Sequence, residues 1–421
     1  MRINRRHFSA VLLAAAGVVG MPGVLRAQAK PRVVVIGGGP GGATVAKYVA
    51  RDSQGAVEVT MIEPLETFVT CFHSNLYLGD MRSFESISHG YKLGSYGVKH
   101  VRQFAAAIDR DKKEVRLADG SVVPYDRLVM APGIDIKFDS VPGYSEAAAE
   151  IMPHGWKPGA QTKLVKQQLD ALQDGATIVM VAPPNPYRCP PGPYERVSVM
   201  AKVLKAKGHT KSKIIVLDPK DKFSKMALFQ EGWQKHYPGI VEWMDPKMHG
   251  GIKGVDPAAM TVTTDFETIK ADMVNVIPAQ MAGKIAREAN LVNETGYCPI
   301  DATNMKSAID PNIYVLGDAS IAGAMPKSAF SANSQAKVVA NAVRGELTGS
   351  RTFPARYANT CWSVLAQDDT VKIGGRYEPK DGKIAEIEGF VSKTGEDAGI
   401  RLQTSEENMG WYAGITADIF S

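Results

Sequence analysis

Residues 33–49 read VVVIGGGPGGATVAKYV, and this stretch decides the fold of the chain. Four apolar residues that favour β-strands run directly into a cluster of glycines, and a helix-like segment follows. Gly37, Gly39 and Gly42 have the spacing of the dinucleotide fingerprint, in the strand-turn-helix context that it requires. The first glycine permits a tight turn, the second lets the backbone approach a pyrophosphate, and the third lets the helix pack on the strand. Amides at the start of the helix would then bind the anion.

A carboxylate completes this unit. The next apolar strand is predicted over residues 57–62, and Glu63 follows it at about the place where a ribose-binding acid belongs. An ordinary glycine-rich turn is the alternative. The strand, the helix and the acid together favour a nucleotide-binding βαβ unit.

Residues 1–29 predict an export signal that is not part of the fold. Arg5 and Arg6 are adjacent, an apolar run covers residues 10–20, and the small-x-small sequence AQA ends at Ala29. Paired arginines indicate the twin-arginine route, which carries folded, cofactor-loaded proteins. We therefore expect cleavage near Ala29 and a periplasmic product. A Sec signal and an uncleaved anchor are the alternatives.

The charge balance gives no indication of a nucleic-acid partner. The formal net charge is +5, but the predicted signal contains four arginines and no acids, so the remaining chain is close to neutral. Its length predicts two or three domains. No later apolar stretch has the length that a membrane span needs, so we expect a soluble product.

Two later motifs extend the pattern. A buried strand predicted over residues 125–130 ends at the turn Ala131-Pro132-Gly133, and a strand predicted over 313–316 ends at Gly317 and Asp318. With the fingerprint and its acid, these motifs resemble the flavoprotein disulfide reductase superfamily. The resemblance implies that FAD is the cofactor and that Asp318 reaches its ribityl and pyrophosphate side. A turn-capping acid is the alternative for Asp318.

The same resemblance implies an α/β fold with two Rossmann-like dinucleotide-binding domains, similar to glutathione reductase, and a C-terminal α+β interface domain. The FAD-binding domain is expected in two parts, with the second Rossmann-like domain between them and the interface domain at the end. The FAD-binding domain is predicted over residues 30–150 and 276–351, and the second Rossmann-like domain over 151–275. The interface domain is predicted over residues 352–421.

The second Rossmann-like domain lacks a fingerprint. A strand predicted over residues 176–182 is followed by PPNPYRCPPGP, residues 183–193, in place of glycines. Prolines have no amide hydrogen, so this loop cannot form a phosphate-binding nest. A strand over 214–217 still ends in an acid, Asp218. The domain shape is therefore expected to remain, without ordinary NAD(P)H binding.

Four cysteines are present, at Cys71, Cys189, Cys298 and Cys361. They form no CxxC or CxxCH motif, which argues against a metal cluster or a covalent haem within this chain, and no metal site is predicted. Four cysteines allow three complete pairings, and the sequence alone does not choose among them. A purely structural disulfide is the plain alternative to a catalytic one.

Across most of the chain after the signal, the sequence is similar to the flavoprotein subunits of flavocytochrome c sulfide dehydrogenases, with sulfide:quinone oxidoreductases as more distant relatives. The local motif around Cys71 resembles the site of the covalent 8α-S-cysteinyl FAD link. Those around Cys189 and Cys361 resemble the redox disulfide that lies over the flavin ring. The resemblance implies sulfide oxidation to sulfur or polysulfide, with a c-type cytochrome subunit as electron acceptor. It gives Cys298 no role, and we interpret Cys298 as a buried thiol.

Two charged residues complete the predicted site. Lys327 resembles the family lysine beside the flavin, where its charge would stabilise the reduced anionic form. An exposed surface lysine is the alternative. Glu195, six residues after Cys189, could accept a proton from hydrogen sulfide or from the incoming sulfur. An acid that satisfies local amides at a helix start is the alternative for Glu195.

Two other functions remain open from the sequence. A sulfide:quinone oxidoreductase would need a quinone site and an amphipathic, membrane-docking C-terminus, and the short tail after Glu406 argues against it. A flavin-carrying subunit that activates a partner's thiol would need an accessible disulfide but no sulfide oxidation of its own.

Overall fold

The computed structural model describes residues 29–421. The predicted export signal therefore lies outside the described residues, apart from Ala29. In chain order the strands are β1 Arg32–Ile36, β2 Glu58–Ile62, β3 Thr67–Val69, β4 Ser88–Gly90, β5 Lys99–Val101, β6 Ala105–Asp109, β7 Glu114–Leu117, β8 Val122–Pro124, β9 Arg127–Met130, β10 Ile134–Ile136, β11 Thr177–Val181, β12 Lys213–Leu217, β13 Val241–Met244, β14 Ile252–Asp256, β15 Thr261–Thr264, β16 Thr268–Lys270, β17 Met273–Val276, β18 Gln280–Ala282, β19 Ile313–Val315, β20 Tyr357–Ala366, β21 Asp369–Lys380 and β22 Lys383–Val391.

The helices follow the same order. They are α1 Pro40–Asp52, α2 Ser74–Leu78, α3 Ala160–Ala171, α4 Gly192–Ala206, α5 Met226–His236, α6 Pro246–His249, α7 Lys284–Glu288, α8 Ala329–Thr348 and α9 Ala398–Phe420. Short 3₁₀ turns lie at Glu85–Ile87, Leu93–Tyr96, Phe138–Ser140, Ala148–Glu150 and Gly317–Ala319.

The fingerprint belongs to a five-stranded parallel sheet with the order β19-β9-β1-β2-β5. Strand β1 is central, so its apolar residues are buried on both faces, which explains the continuous run of valines. Helix α1 packs against α8 on this sheet. Because the carboxyl ends of parallel strands lie at one edge, Gly37 after β1 and Asp318 after β19 meet there.

A second parallel sheet has the order β13-β12-β11-β17, and a small antiparallel sheet, β14-β15-β16, accompanies it. The antiparallel pair of β10 and β18 lies where the chain passes between the two parallel sheets. The predicted α/β fold with two Rossmann-like units is confirmed. The predicted domain boundaries stay a prediction.

The C-terminal region consists of the antiparallel sheet β20-β21-β22 and the long helix α9. The sequence analysis treated the chain after Glu406 as a short tail, whereas the structure shows it as the second half of a 23-residue helix. Ile415, Ile419 and Phe420 are buried in the same core as α1 and α8, so tertiary packing stabilises this helix. None of the helices within residues 29–421 is both long and apolar enough to cross a membrane.

A buried ion network ties this helix to the second sheet's domain. The guanidinium of Arg401, in α9, contacts Asp369 at 3.1 Å, Glu231 at 3.1 Å and Glu396 at 2.9 Å. Asp369 begins β21 and Glu231 lies in α5, so one side chain joins three elements. Loss of one partner in such a buried cluster leaves an uncompensated charge and therefore destabilises the fold.

Candidate active site

The fingerprint loop has room only for glycine at two of its positions. Gly37 has a φ of +100°, and a Cβ atom there would lie 2.4 Å from the carbonyl oxygen of Ala131. A Cβ atom at Gly42 would lie 1.9 Å from the carbonyl oxygen of Gly37. The turn after β9 is therefore packed directly against this loop. At Gly39, whose φ is −73°, a Cβ atom would meet only the ring of Phe68 at 3.3 Å.

Glu63 lies beneath this loop and is buried. Its Oε2 accepts a hydrogen bond from the amide of Gly38 at 2.8 Å, and its Oε1 accepts one from the amide of Leu65 at 3.0 Å. The hydroxyl of Tyr91 is buried beside the loop and has no hydrogen-bond partner within residues 29–421. An unpartnered polar atom beside a tight glycine loop fits a bound nucleotide.

Asp318 lies in the 3₁₀ turn after β19. Its Oδ1 is buried and has no hydrogen-bond partner in the described part of the chain, and its Oδ2 is 3.9 Å from Nη1 of Arg188. Burial raises the pKa of this carboxyl. A carboxylate oxygen left without a donor fits a ligand hydroxyl at this position. Together with the glycine loop, it shows that these residues fit FAD.

Lys327 lies beside the same turn. Its Nζ donates to the carbonyl oxygens of Asp318 at 2.8 Å and Ser320 at 2.7 Å, and it lies 3.9 Å from the centre of the Tyr297 ring. Burial lowers the pKa of this lysine to about 8. The exposed-lysine alternative therefore does not describe the structure. A role beside the flavin stays a prediction.

One cavity brings together three of the four cysteines and the predicted acid. Cys71, Cys189, Cys361 and Glu195 all line it. The walls also include Asn75, Trp156, Arg188, Arg196, Phe330, Trp362 and Trp411. Cys298 lies elsewhere and is fully buried, and burial raises the pKa of its thiol to about 12.

The three cavity cysteines come from different elements. Cys71 follows β3, Cys189 precedes α4 with a φ of +58°, and Cys361 lies within β20. All four cysteines are separate thiols in the structure, so the disulfide between Cys189 and Cys361 stays a prediction. A backbone hydrogen bond from the amide of Cys189 to the carbonyl of Lys327, at 2.7 Å, ties the second domain's cysteine to the FAD-binding domain.

Glu195 connects three elements at the cavity. Its Oε1 accepts from the amide of Val364 in β20 at 2.9 Å, and its Oε2 accepts from Nδ2 of Asn75 in α2 at 2.8 Å. The carboxylate therefore does not cap its own helix, which was the alternative. Burial raises its pKa, and these two donors partly offset that effect. A carboxylate whose pKa is raised in this way is better suited to accept and release a proton than an exposed one.

The sequence analysis did not single out four polar residues of this site. Arg196 is fully buried and donates to Oδ1 of Asn75 at 3.2 Å, which orients the amide that binds Glu195. Arg188 contacts Asp318, as described above. Lys225 is buried and reaches β20 beside Cys361. Their contact partners are distant in sequence, and the local signals were the positions of Arg188 next to Cys189, Arg196 next to Glu195 and Asn75 four residues after Cys71.

The carboxylate of Asp218, which follows β12, is hydrogen-bonded by other side chains of the protein. Asp218 is completely buried and accepts from Tyr194 Oη at 2.5 Å, Trp243 Nε1 at 3.0 Å and Lys220 Nζ at 2.6 Å. The ring of Tyr194 stacks on Phe223 with 3.6 Å between centroids. This carboxylate is therefore engaged by side chains of its own domain, in the position where a nucleotide ribose would need it.

We therefore predict that neither NADH nor NADPH reduces the flavin. Pro183 and Pro184 remove the amides that would bind a pyrophosphate, and Asp218 is already hydrogen-bonded. Anaerobic mixing with either nucleotide should leave the visible flavin spectrum unchanged, while dithionite bleaches the same sample. Bleaching by NADH in a preparation free of other reductases would contradict the prediction.

Comparisons with known proteins agree with this architecture. Residues 162–278 match the family model of the central domain of the flavocytochrome c sulfide dehydrogenase flavoprotein chain, and residues 353–420 match its flavin-binding domain. Residues 31–171 match the pyridine nucleotide-disulphide oxidoreductases. The sulfide:quinone oxidoreductase structure from Aquifex aeolicus superimposes with a TM-score of 0.74 at 16% identity, covering 92% of each chain, which shows the shared fold.

Two proteins with similar sequences differ in their identity to this chain and in the share of it that they match. The mitochondrial sulfide:quinone oxidoreductase of Mus musculus is 21% identical over 302 residues, which is 68% of this chain and 65% of that protein. This chain thus spans slightly less than two thirds of that relative. The flavocytochrome c sulfide dehydrogenase flavoprotein chain of Chlorobaculum thiosulfatiphilum is 54% identical over 44 residues, which is 10% of this chain and 90% of that sequence. With the two domain matches, this identity shows that the chain belongs to the flavoprotein chains of flavocytochrome c sulfide dehydrogenases.

Proposed function

We propose that this chain is an exported, periplasmic flavoprotein that oxidises sulfide to sulfur or polysulfide and passes the electrons to a c-type cytochrome subunit. The observation that carries the proposal is the single cavity lined by Cys71, Cys189, Cys361 and Glu195. The family membership supports it. The proposal includes twin-arginine export, a disulfide between Cys189 and Cys361, and a covalent link from Cys71 to the flavin.

The residues that would hold FAD are those of the fingerprint edge. Gly37, Gly39 and Gly42 provide the close backbone approach, Glu63 would face the ribose, and the free oxygen of Asp318 would accept from a hydroxyl. Gly317 and Lys327 complete this set. When bound, FAD supplies an acceptor that takes two electrons and releases them one at a time.

The cysteines and Glu195 would perform the sulfur chemistry. Hydrosulfide attacks one sulfur of the disulfide, which leaves a persulfide on one cysteine and a thiolate on the other. Glu195 accepts the proton that hydrogen sulfide loses to form the attacking hydrosulfide, because its carboxylate is held at the cavity by Asn75 and Val364. The aromatic side chains of Trp156, Phe330, Trp362 and Trp411 on the cavity wall would limit the access of water to the reactive sulfur species.

Anaerobic titration of the purified native complex tests the proposal. Sulfide should bleach the flavin, and oxidised cytochrome c should restore its colour, with haem bands visible in the same spectrum. A sulfide:quinone oxidoreductase, the second candidate because of its shared fold, would be reoxidised by a quinone analogue instead. Bleaching by a dithiol but not by sulfide would contradict both candidates and favour a subunit that activates a partner's thiol.

Glu195→Gln should slow flavin reduction by sulfide most strongly in mildly acidic solution. There hydrogen sulfide must lose a proton before it attacks, and an amide cannot accept it, so we expect a loss of about 10²-fold. Because burial raises the pKa of Glu195, the wild-type rate should also fall as the pH drops through that value. The two rates should converge at alkaline pH.

Stopped-flow measurement of flavin bleaching across pH provides this comparison. Glu242→Gln, which removes an exposed carboxylate in the second domain, is the matched control and should follow the wild type. A pH-independent ratio between Glu195→Gln and the wild type would contradict a role in proton transfer.

A further inference from the structure

Lys225 is a buried lysine beside one of the two proposed catalytic cysteines, and burial lowers its pKa to about 8, so it is charged at neutral pH. Only 8% of its surface is exposed, and its backbone φ of +63° is uncommon for a residue with a side chain. Its Nζ donates to the hydroxyl of Ser363 at 2.7 Å and to the carbonyl oxygen of Cys361 at 3.1 Å. The ammonium group is therefore fixed against the segment of β20 that carries Cys361.

A neutral hydrogen-bond donor also stabilises a thiolate on Cys361. Asn359 is buried two residues earlier in β20, and its Nδ2 lies 3.4 Å from the sulfur of Cys361. The hydroxyl of Ser328 donates to Oδ1 of Asn359 at 2.6 Å, which turns the NH₂ group toward the sulfur. A thiolate on Cys361 would thus have one hydrogen-bond donor and one nearby cation.

Cys189 has a different electrostatic environment. Burial raises the pKa of its thiol well above the usual range, and Cys361, Glu195 and Cys71 raise it further. The cations near it are engaged elsewhere: Arg188 contacts Asp318 and its Nη2 donates to a backbone carbonyl, and Arg196 donates to Asn75, Asn275 and two backbone carbonyls. Lys225 also faces Cys189, but its ammonium group is hydrogen-bonded to the segment that carries Cys361. Burial also raises the pKa of Cys361, and Glu195 adds to that effect, but Asn359, Lys225 and Ser328 oppose it.

We propose that Lys225 and Asn359 make Cys361, and not Cys189, the sulfur that leaves as a thiolate when sulfide attacks the disulfide. This inference rests on the proposed function. The sulfur of hydrosulfide forms a bond to Sγ of Cys189, the bond between Cys189 and Cys361 breaks, and its electron pair stays on Cys361. The sulfide sulfur loses two electrons and the disulfide gains them. The hydrosulfide proton stays on the outer sulfur of the Cys189 persulfide, and Glu195 holds the proton that hydrogen sulfide lost before the attack.

The chemistry of exchange explains this direction. In thiol–disulfide exchange the sulfur with the lower thiol pKa leaves faster, so an attacking anion is directed to the other sulfur. The charged groups that face Lys225 are Glu195 and the two cysteines. Lys225 touches no substrate in this scheme, and it acts as a positioning residue through Cys361.

Labelling of the reduced full-length holoprotein with iodoacetamide, followed for each cysteine by peptide mass spectrometry, tests the inference. The pH midpoint for labelling Cys361 in Cys189→Ser should lie about one unit below the midpoint for Cys189 in Cys361→Ser. Adding Lys225→Met should raise the Cys361 midpoint by about one unit, and Lys225→Arg should restore most of the difference. Lys222→Met removes an exposed lysine three residues earlier and should change nothing.

A second measurement uses the wild-type protein. One equivalent of sulfide, trapped with iodoacetamide, should leave the additional sulfur on the peptide that contains Cys189. The additional sulfur on the Cys361 peptide, or the reverse order of labelling midpoints, would overturn the inference, and neither result needs a lysine variant that folds. Labelling requires no sulfide oxidation, so an inactive protein with the expected midpoints would overturn only the proposed function.

Discussion

Cys189→Ser and Cys361→Ser should each retain a folded protein with bound FAD and lose sulfide-driven flavin reduction by about 10³-fold or more. The expected size follows from removal of an attacked or leaving group, because the remaining site cannot form the covalent intermediate. The glycine loop and Asp318, which would hold FAD, lie on the first sheet and are unchanged in both variants. Stopped-flow bleaching by sulfide under anaerobic conditions measures the effect.

The same variants separate a catalytic disulfide from a structural one. A bridge between these positions closes a loop of well over 100 residues, which stabilises a folded protein by about 4–5 kcal/mol in the chain-entropy model. A structural bridge would therefore show mainly as a lower free energy of unfolding. Cys298→Ser, which removes the buried thiol outside the cavity, is the control and should keep sulfide activity. Full activity in Cys189→Ser or Cys361→Ser would falsify the proposed mechanism.

The second large effect concerns the link between Cys71 and the flavin. Acid precipitation of the wild-type holoprotein should leave the yellow colour in the pellet, whereas Cys71→Ser should release all of it into the supernatant. The structure supports this expectation because Cys71 lines the cavity beside Arg188, whose charge favours the thiolate although burial raises the pKa of Cys71. Cys71→Ser should still bind FAD through Gly37, Gly42 and Asp318.

Mass spectrometry of the flavin-containing peptide gives a direct measurement. A tryptic peptide that includes Cys71 should carry the mass of FAD, and Cys298→Ser should not change this. Complete release of flavin from the wild-type protein into the acid supernatant would contradict the prediction. A covalent link between the flavin and a residue other than Cys71 would also contradict it.

The elements that the sequence determined are those set by short-range backbone constraints. The fingerprint could be predicted because Gly37 and Gly42 leave no space for a Cβ atom, and that requirement appears as glycine spacing. Asp318 could be predicted because the strand and the Gly317-Asp318 turn after it resemble a motif of the flavoprotein superfamily. The absence of a second phosphate-binding loop was visible in the prolines after β11. These features also decide the α/β fold, which the structure confirms.

The composition of the cavity was decided only by tertiary structure. Glu195 meets Asn75, 120 positions earlier, and Val364, 169 positions later, and no local pattern encodes such pairs. Lys225 reaches Cys361 across 136 positions for the same reason. In the sequence alone, Lys225 is one lysine among many.

Helix α9 is a whole element that the sequence alone did not predict. The chain after Glu406 has a weak helical signal, and its hydrophobic residues read equally well as a short tail. Burial of Ile415, Ile419 and Phe420 against α1 and α8 stabilises the helix, and that surface exists only once the first sheet has folded. Sequence therefore determined the nucleotide-binding frame, and long-range packing decided which side chains surround the reactive sulfur atoms, because burial and charge pairing depend on residues that are far apart in the chain.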